Sequence, residues 1–388
     1  MAQSRYIIGI SLAIIVLLIV ASLAYSGVFG GQVTYTKTIT QTKVQVLTST
    51  KEYTITTSLT KSYTVTSIIT TTKILTQRET LTTTMIRKYP ITIVDALGRS
   101  ITIEKAPQRV VSLAPSITEM LFALDAGEYV VGVDSFSNYP PEVMKLRKEG
   151  KIACIGSYWN PDLEKIVKLK PDLVIADAGA HAKLLEKFEE LKINVIYVHG
   201  GSSTNVRDII KDIITLGLVF DIKSKAQEIR EDIVKCIKNV SDKLVKSNAS
   251  KVKVLILLGP ISMGLWSTGS GTFIDYLVKS VGGVNILSKY HGWIQVGYEE
   301  IVKSDPEIII VTIMGTKETA LKVIDEIKKS PLATTSAVKK GKIYVLIGEA
   351  DDVLTRPGPR ITEAIKLLAK IIHPEIFGEA VRSDVIKG

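Results

Sequence analysis

Seven apolar runs of four to seven residues, rich in Val, Ile and Leu, recur along the chain: Arg109–Leu113, Val130–Val133, Asp172–Ala176, Asn194–Val198, Val252–Leu258, Glu307–Thr312 and Lys342–Leu346. Runs this short and this continuous suit strands covered on both faces, as in a parallel sheet. Segments of helical period lie between them. ITEMLFALDAG is opened by Pro115 and Ser116 and closed by Gly127, and Ala182–Leu191, Phe273–Val281, Lys317–Lys329 and Arg360–Ile372 follow. Strand alternating with helix predicts an α/β fold with mostly parallel sheets. At 388 residues the chain has room for two domains or more. The alternation breaks once, from about residue 203 to 247, where the pattern is continuously helical with heavy i,i+4 charge pairing. The plan is therefore lobe, long helix, lobe, with a ligand cleft between the lobes. A short hairpin opens the first lobe, with Ile91–Val94 and Ile101–Ile103 flanking a turn that contains Asp95 and Gly98.

The first 88 residues are different material. No charge interrupts Tyr6–Phe29, a stretch long enough to cross about 30 Å of hydrocarbon as a helix. Arg5 before it favours an inside N-terminus. Two readings stand, an uncleaved anchor and a secretory signal cut near Ala21–Ser26; the length of the run favours the anchor. No Cys lies near it, which excludes attachment through a lipidated N-terminal cysteine. Residues 32 to about 86 are dominated by Thr with Val, Ile and Lys between, without Pro or further Gly. They read as an extended spacer; a β-rich or coiled oligomerisation stalk is the alternative. Either way the remainder works on the outer face of a cell membrane, held by a single N-terminal pass. The expected divisions are 1–31 anchor or signal, 32–88 stalk, 89–203 first lobe, 204–250 linker helix, 251–376 second lobe and 377–388 tail.

Composition closes off several functions. Net charge is +10, but Lys alternates with Glu and Asp, as in KLLEKFEELK and KAQEIREDIVK, which describes solvated helix surface and not a nucleic-acid footprint. Two cysteines, Cys154 and Cys236, cannot build a disulfide scaffold or a four-thiolate zinc site, and both read as buried thiols. Four scattered histidines, none at metal-ligand spacing, argue against a metal centre of the protein's own, so no resident metal or cofactor is expected. No nucleophile elbow, phosphate loop or zinc-protease helix signature is present, so no catalytic residues are assigned.

RVVSLAPSITEMLFALDAGEYVVGVDSFSNYPPEV (Arg109–Val143) and IGSYWNPDLEKIVKLKPDLVIA (Ile155–Ala176) resemble the opening of the cobalamin and iron-siderophore type of ABC-transporter substrate-binding protein. STGSGTFIDYLVKSVGGVNIL (Ser267–Leu287), VGYEEIVKSDPEIIIV (Val296–Val311) and RPGPRITEAI (Arg356–Ile365) continue the likeness in order, over about residues 90–376. The resemblance implies two α/β lobes joined by one rigid helix, and a protein that captures a metal chelate, a corrinoid or siderophore with haem as the alternative. It implies delivery to a permease driven by a separate ATPase, without chemistry on the ligand. A surface scaffold or adhesion role remains a different class of reading, suggested by the Thr-rich stalk alone. The resemblance also implies that one exposed Glu per lobe meets Arg on the permease; the matching positions are Glu164 and Glu299, with Glu300 a possible substitute.

By place in the motifs, the cleft is lined by Pro115, Ser116, Phe136, Tyr158, Trp159, Asp177 to His181, Trp266, Trp293, Asp352 and Arg356. Aromatic rings suit the flat faces of a macrocycle, and packing at lobe edges is the alternative, chiefly for Phe136 and Trp293. Arg356 could clamp a ligand carboxylate or phosphate, whereas Arg360 suits a structural pair with an acid. His181 could ligate a ligand's metal, against a capping or surface role. Gly269–Thr272, before a helix, is a weak candidate anion loop.

Overall fold

The computed structural model describes residues 89–388 throughout and, before them, only the strand backbone at 18–20, 33–42, 65–69 and 75–85. The chain divides into two units, Met1–Tyr89 and Pro90–Gly388. In the first unit Val33–Thr42 pairs antiparallel with Leu75–Met85, which pairs in turn with Val65–Ile69, while Leu18–Val20 lies antiparallel to Val33–Thr42. Thr, Val and Ile are the residues a pleated ladder favours. Apart from Leu18–Val20, the expected membrane helix over Tyr6–Phe29 lies outside the described residues. Among the described residues no helix is long and apolar enough to cross a membrane.

The second unit opens with the expected hairpin, β1 (Ile91–Val94) and β2 (Ser100–Ile103). Asp95 holds its turn by accepting from the Leu97 and Arg99 amides and the Arg99 guanidinium; Arg99 Nη2 also reaches the Val195 carbonyl at 2.9 Å, pinning the hairpin to the lobe. Five parallel strands follow: β3 (Val110–Ser112), β4 (Val130–Val133), β5 (Ala153–Cys154), β6 (Leu173–Asp177) and β7 (Val195–Val198), in the order β7-β6-β3-β4-β5. The order reverses between β3 and β6, and such a switch point is where an open α/β sheet binds ligands beyond its carboxyl ends. Helix α1 (Pro115–Ala123) leaves β3 with Pro at its first turn, α2 is Pro141–Lys148, α3 (Leu163–Lys168) is capped by Asp162, and α4 is Leu185–Glu190.

The second lobe is a mixed sheet. β8 (Val252–Leu258), β12 (Ile308–Thr312) and β13 (Ile343–Leu346) run parallel, with β10 (Gly283–Asn285) beside β8. Two short antiparallel strands, β9 (Trp266–Thr268) and β11 (Trp293–Gln295), form a flap at one edge. The stretch read as a tail contributes β14 (Val385–Lys387), antiparallel on β13. Leu255, Leu257, Ile309, Val311, Ile343 and Val345 are fully enclosed in the sheet's core, each worth about 1.5–3 kcal/mol of burial. The helices are α7 (Phe273–Ser280), α8 (Tyr298–Ser304), α9 (Lys317–Lys329), α10 (Gly348–Thr355) and α11 (Ile361–Ile372).

The linker corrects one expectation. It is not one helix but two, α5 (Val206–Val219) and α6 (Lys223–Lys246). Asp221 sits in the left-handed region at φ 56°. The Ile222 amide bonds to the Gly217 carbonyl at 2.7 Å and the Asp221 amide to Leu218 at 3.1 Å. That is a Schellman stop with Asp where Gly is usual. After it the chain folds back, so that α6 packs on α5 and lies along α11, while α5 touches both α1 and α7. The chain passes between the lobes once, through α5.

Candidate functional site

Each lobe presents an aromatic face, and an ionic seam joins the two lobes. On the first lobe, β6 ends at Asp177, which is 1% exposed. One carboxylate oxygen accepts from the Gly179 and Ala180 amides and the other from the Tyr158 hydroxyl at 3.0 Å and the Gly201 amide at 2.8 Å. Burial pushes this carboxyl above its usual range, and the surrounding donors oppose it. His181 lies beside it, fully buried. Its Nδ1 accepts from the Asp177 amide, so its Nε2 carries the proton and donates to the Tyr158 carbonyl. Burial lowers its pKa, which keeps the ring neutral. Tyr158 is thereby held at both ends, and burial with Asp177 drives its hydroxyl pKa far upward. Its ring stands edge-on to Trp159 at 5.3 Å, and Trp159 edge-on to Phe136 at 5.3 Å.

On the second lobe the flap carries Trp266 and Trp293. Cross-strand partners Trp266↔Gln295 and Thr268↔Trp293 share one face. The opposite face is turned inward, where Ser267 donates to the Ile256 carbonyl and Ile294 packs on the core. Gly264, at φ 100°, leaves room for the Gln295 amide, which a Cβ there would strike. Phe273 supports Trp293 from below at 6.0 Å. The two faces are connected: the Phe273 amide donates to the Ser203 carbonyl at 3.0 Å, just past the Gly201 that braces Asp177.

The seam is ionic. Glu119 on α1, 2% exposed, accepts from Arg356 Nη1 at 2.9 Å and from Arg360 Nη2 at 2.7 Å and Nε at 2.9 Å. Arg360 stacks on the Tyr139 ring, its guanidinium 3.8 Å from the centroid. Arg356 also binds Asn138 Oδ1 at 2.7 Å, the Phe136 carbonyl at 3.2 Å and Asp352 at 2.6 Å. Asn138 returns a bond to Asp352 at 3.2 Å.

The candidate residues thus separate into groups. Phe136, Tyr158 and Trp159 form one face with His181 beneath it, and Trp266 and Trp293 form the other. Pro115, Ser116, Asp352 and Arg356 lie at the seam, where Gly358 comes close enough that a Cβ would sit 3.5 Å from the Ser116 carbonyl. Three expectations are corrected. Arg356 has two protein partners on each terminal nitrogen, which leaves no free fork for a ligand carboxylate. His181 has both ring nitrogens bonded within the protein, which leaves none for a ligand's metal; it is buried, not at the surface, and its Nδ1 accepts from the amide of Asp177, the residue that caps the helical turn His181 closes. In Gly269–Thr272, the Gly269 and Ser270 amides bond to Gly292 and Tyr290, and Thr272 Oγ1 caps α7, so the loop does not present an anion cradle. Arg360 does pair with an acid, as expected. Cys236 is buried as expected, but the reading of Cys154 as a buried thiol is corrected: it is exposed, on the edge strand β5, and neither cysteine is in a disulfide. Among the described residues no group of three His, Cys, Asp or Glu side chains could hold a metal ion.

Glu164 and Glu299 are exposed, each in the first turn of its helix, and neither is paired with a described residue. Glu300, unlike its neighbour, is engaged by Lys289 at 2.7 Å and by the Tyr290 hydroxyl at 3.1 Å. Glu119, Asn138 and Tyr139 are residues that sequence reasoning missed. Glu119 carried a signal, being the one charge in an otherwise neutral α1.

Comparison with known proteins follows the same lines. The family model for periplasmic binding proteins matches residues 110–350. An uncharacterized ABC transporter substrate-binding lipoprotein of Bacillus subtilis, YvrC, is 31% identical over 295 residues, 75% of this chain and 88% of the relative. The vitamin B12-binding protein of Pectobacterium atrosepticum is 26% identical over 258 residues, 66% of this chain and 85% of its own. Among solved structures, an ABC transporter substrate-binding protein from Listeria monocytogenes superposes with a TM-score of 0.59 at 26% identity, covering 69% of this chain and 99% of that one.

Proposed function

Because the chain belongs to the periplasmic binding protein family, we propose that it is the extracytoplasmic receptor of an ABC importer. In this reading it holds a bulky planar metal chelate, a corrinoid in the first instance, between its lobes and hands it on unchanged. One observation carries the reading. The sequence contains three tryptophans, and all three are exposed, Trp159 at 59%, Trp266 at 45% and Trp293 at 44%. Large aromatic surface is normally covered. Trp159 belongs to one lobe and Trp266 and Trp293 to the other, and a broad flat ligand held between the lobes would cover exposed rings of both. The vitamin B12-binding relative supports a corrinoid over other chelates.

The test is thermal unfolding of the full chain with cyanocobalamin, haemin and ferrichrome. A ligand at a hundred times its dissociation constant adds about 2.7 kcal/mol of stability, and cyanocobalamin is expected to raise the midpoint most. If none of the three moves it while a sugar or amino acid does, the reading fails.

A further inference from the structure

We propose that Glu119 is the positioning residue of the cleft: one buried carboxylate that grips two arginines of the opposite lobe and so sets the lobe spacing before any ligand arrives. The purpose of that spacing rests on the receptor reading above; the clasp itself rests on geometry.

Arg360 is inserted into a slot made by the first lobe, with Glu119 on its edge and the Tyr139 ring on its face at 3.8 Å. Both members are nearly enclosed, Glu119 at 2% and Arg360 at 6% exposure. An ion pair at that depth is screened far less than a surface one, and its geometry is bidentate. Neutralising Glu119 leaves two guanidiniums without their shared anion, which favours letting water in between the lobes. The outer half of the clasp is more open. There Arg356 joins Asp352 and Asn138 and ends on the Phe136 carbonyl, and the Phe136 ring meets Trp159. The same unit that spaces the lobes therefore also aims an edge of the aromatic face. The lobes are joined elsewhere by α5 and by the Ser203–Phe273 bond. With the clasp closed, rotation about α5 is blocked; with it open, α5 is a pivot.

A cleft held at working width has little ordering left to do when ligand binds. A loosened cleft is competent for only a fraction of the time, and its apparent dissociation constant rises by the inverse of that fraction. Glu119 touches no ligand in this scheme and acts through Arg356 and Arg360.

The experiment is a ligand-free distance measurement on the full chain. Nitroxides are placed by Lys168→Cys on the first lobe and Lys303→Cys on the second, in a Cys154→Ser background that leaves Cys236 buried. Wild type is expected to give one narrow distance. Glu119→Gln is expected to add a longer component, and Glu119→Asp, which keeps the charge, a smaller one. Far-UV circular dichroism separates loosening from unfolding. Should Glu119→Gln fail to fold, Arg360→Lys, which keeps the charge and loses the fork, carries the same expectation. A folded variant with the wild-type distance overturns the proposal, as does a broad distribution already present in wild type. Since no ligand is added, failure of cyanocobalamin, haemin and ferrichrome to bind would sink the receptor reading and leave the clasp standing, while an unmoved distance would do the reverse.

Discussion

Asp351 is a carboxyl kept where ionisation is unfavourable. It is 6% exposed, and burial, then the charge of Asp352, raises its pKa from 3.8 to about 7, against the pull of Arg356 and a hydrogen bond with Thr312. Between those two values the folded chain holds a proton that the unfolded chain has released. The contribution to stability is therefore complete below pH 3.8 and lost as pH rises through about 7. Asp351→Asn has the same shape and nothing to ionise. Its thermal midpoint should exceed that of wild type most above pH 7 and converge with it toward pH 4. An offset independent of pH would refute the argument. Individual residues were legible in the sequence to uneven degree. The exposed tryptophans and Arg360's need of an acid could be read locally. That the acid is Glu119 could not, because the pair is separated by 241 positions and nothing in a single sequence reports a contact across that span.

The turn between α5 and α6 shows where element-level reading stops. GLVFDIK contains no Pro, and its Gly lies four residues before the left-handed position, so periodicity ran on through a stop made by Asp. The strands were legible because each is a continuous apolar run, whereas a helix end made by one αL residue leaves little trace. Gly217 is what lets α6 fold back. A Cβ on it would lie 2.4 Å from the Ala226 Cβ, far inside ordinary contact at about 3.5–4.0 Å. Replacing Gly by Ala in a helix normally adds about 0.8–1.0 kcal/mol, while overpacking costs about 1–3 kcal/mol, and at this separation the strain should win. Gly217→Ala is thus expected to lower the urea midpoint, and Ala226→Gly in the same chain to restore part of it. A more stable Gly217→Ala would show that the helices can part freely.

At the scale of the molecule, the clasp proposed above would fix the distance between lobe surfaces, and two exposed carboxylates ride on those surfaces. Glu164 and Glu299 sit in first turns, one per lobe, unpaired among the described residues, while their neighbour Glu300 is held by Lys289. The resemblance pointed to the motif, but only the side-chain contacts distinguish which of two adjacent acids is free. Charges of this kind steer encounter and set register more than they add affinity, and they are screened beyond about 8 Å at physiological salt. Binding of the full chain to its permease in nanodiscs should therefore show slower association for Glu164→Gln and for Glu299→Gln. The double variant should be slowed further, and raising the salt should narrow the gap from wild type. Dissociation should change less. Glu300→Gln should leave association near wild type, since its carboxylate already faces Lys289 and Tyr290. If Glu300→Gln slowed association as much as Glu299→Gln did, the turn would dock as a whole and the assignment to one free carboxylate would be wrong. If the double variant associated like wild type at low salt, neither carboxylate would be a docking group, and the lobes' fixed spacing would serve the ligand alone.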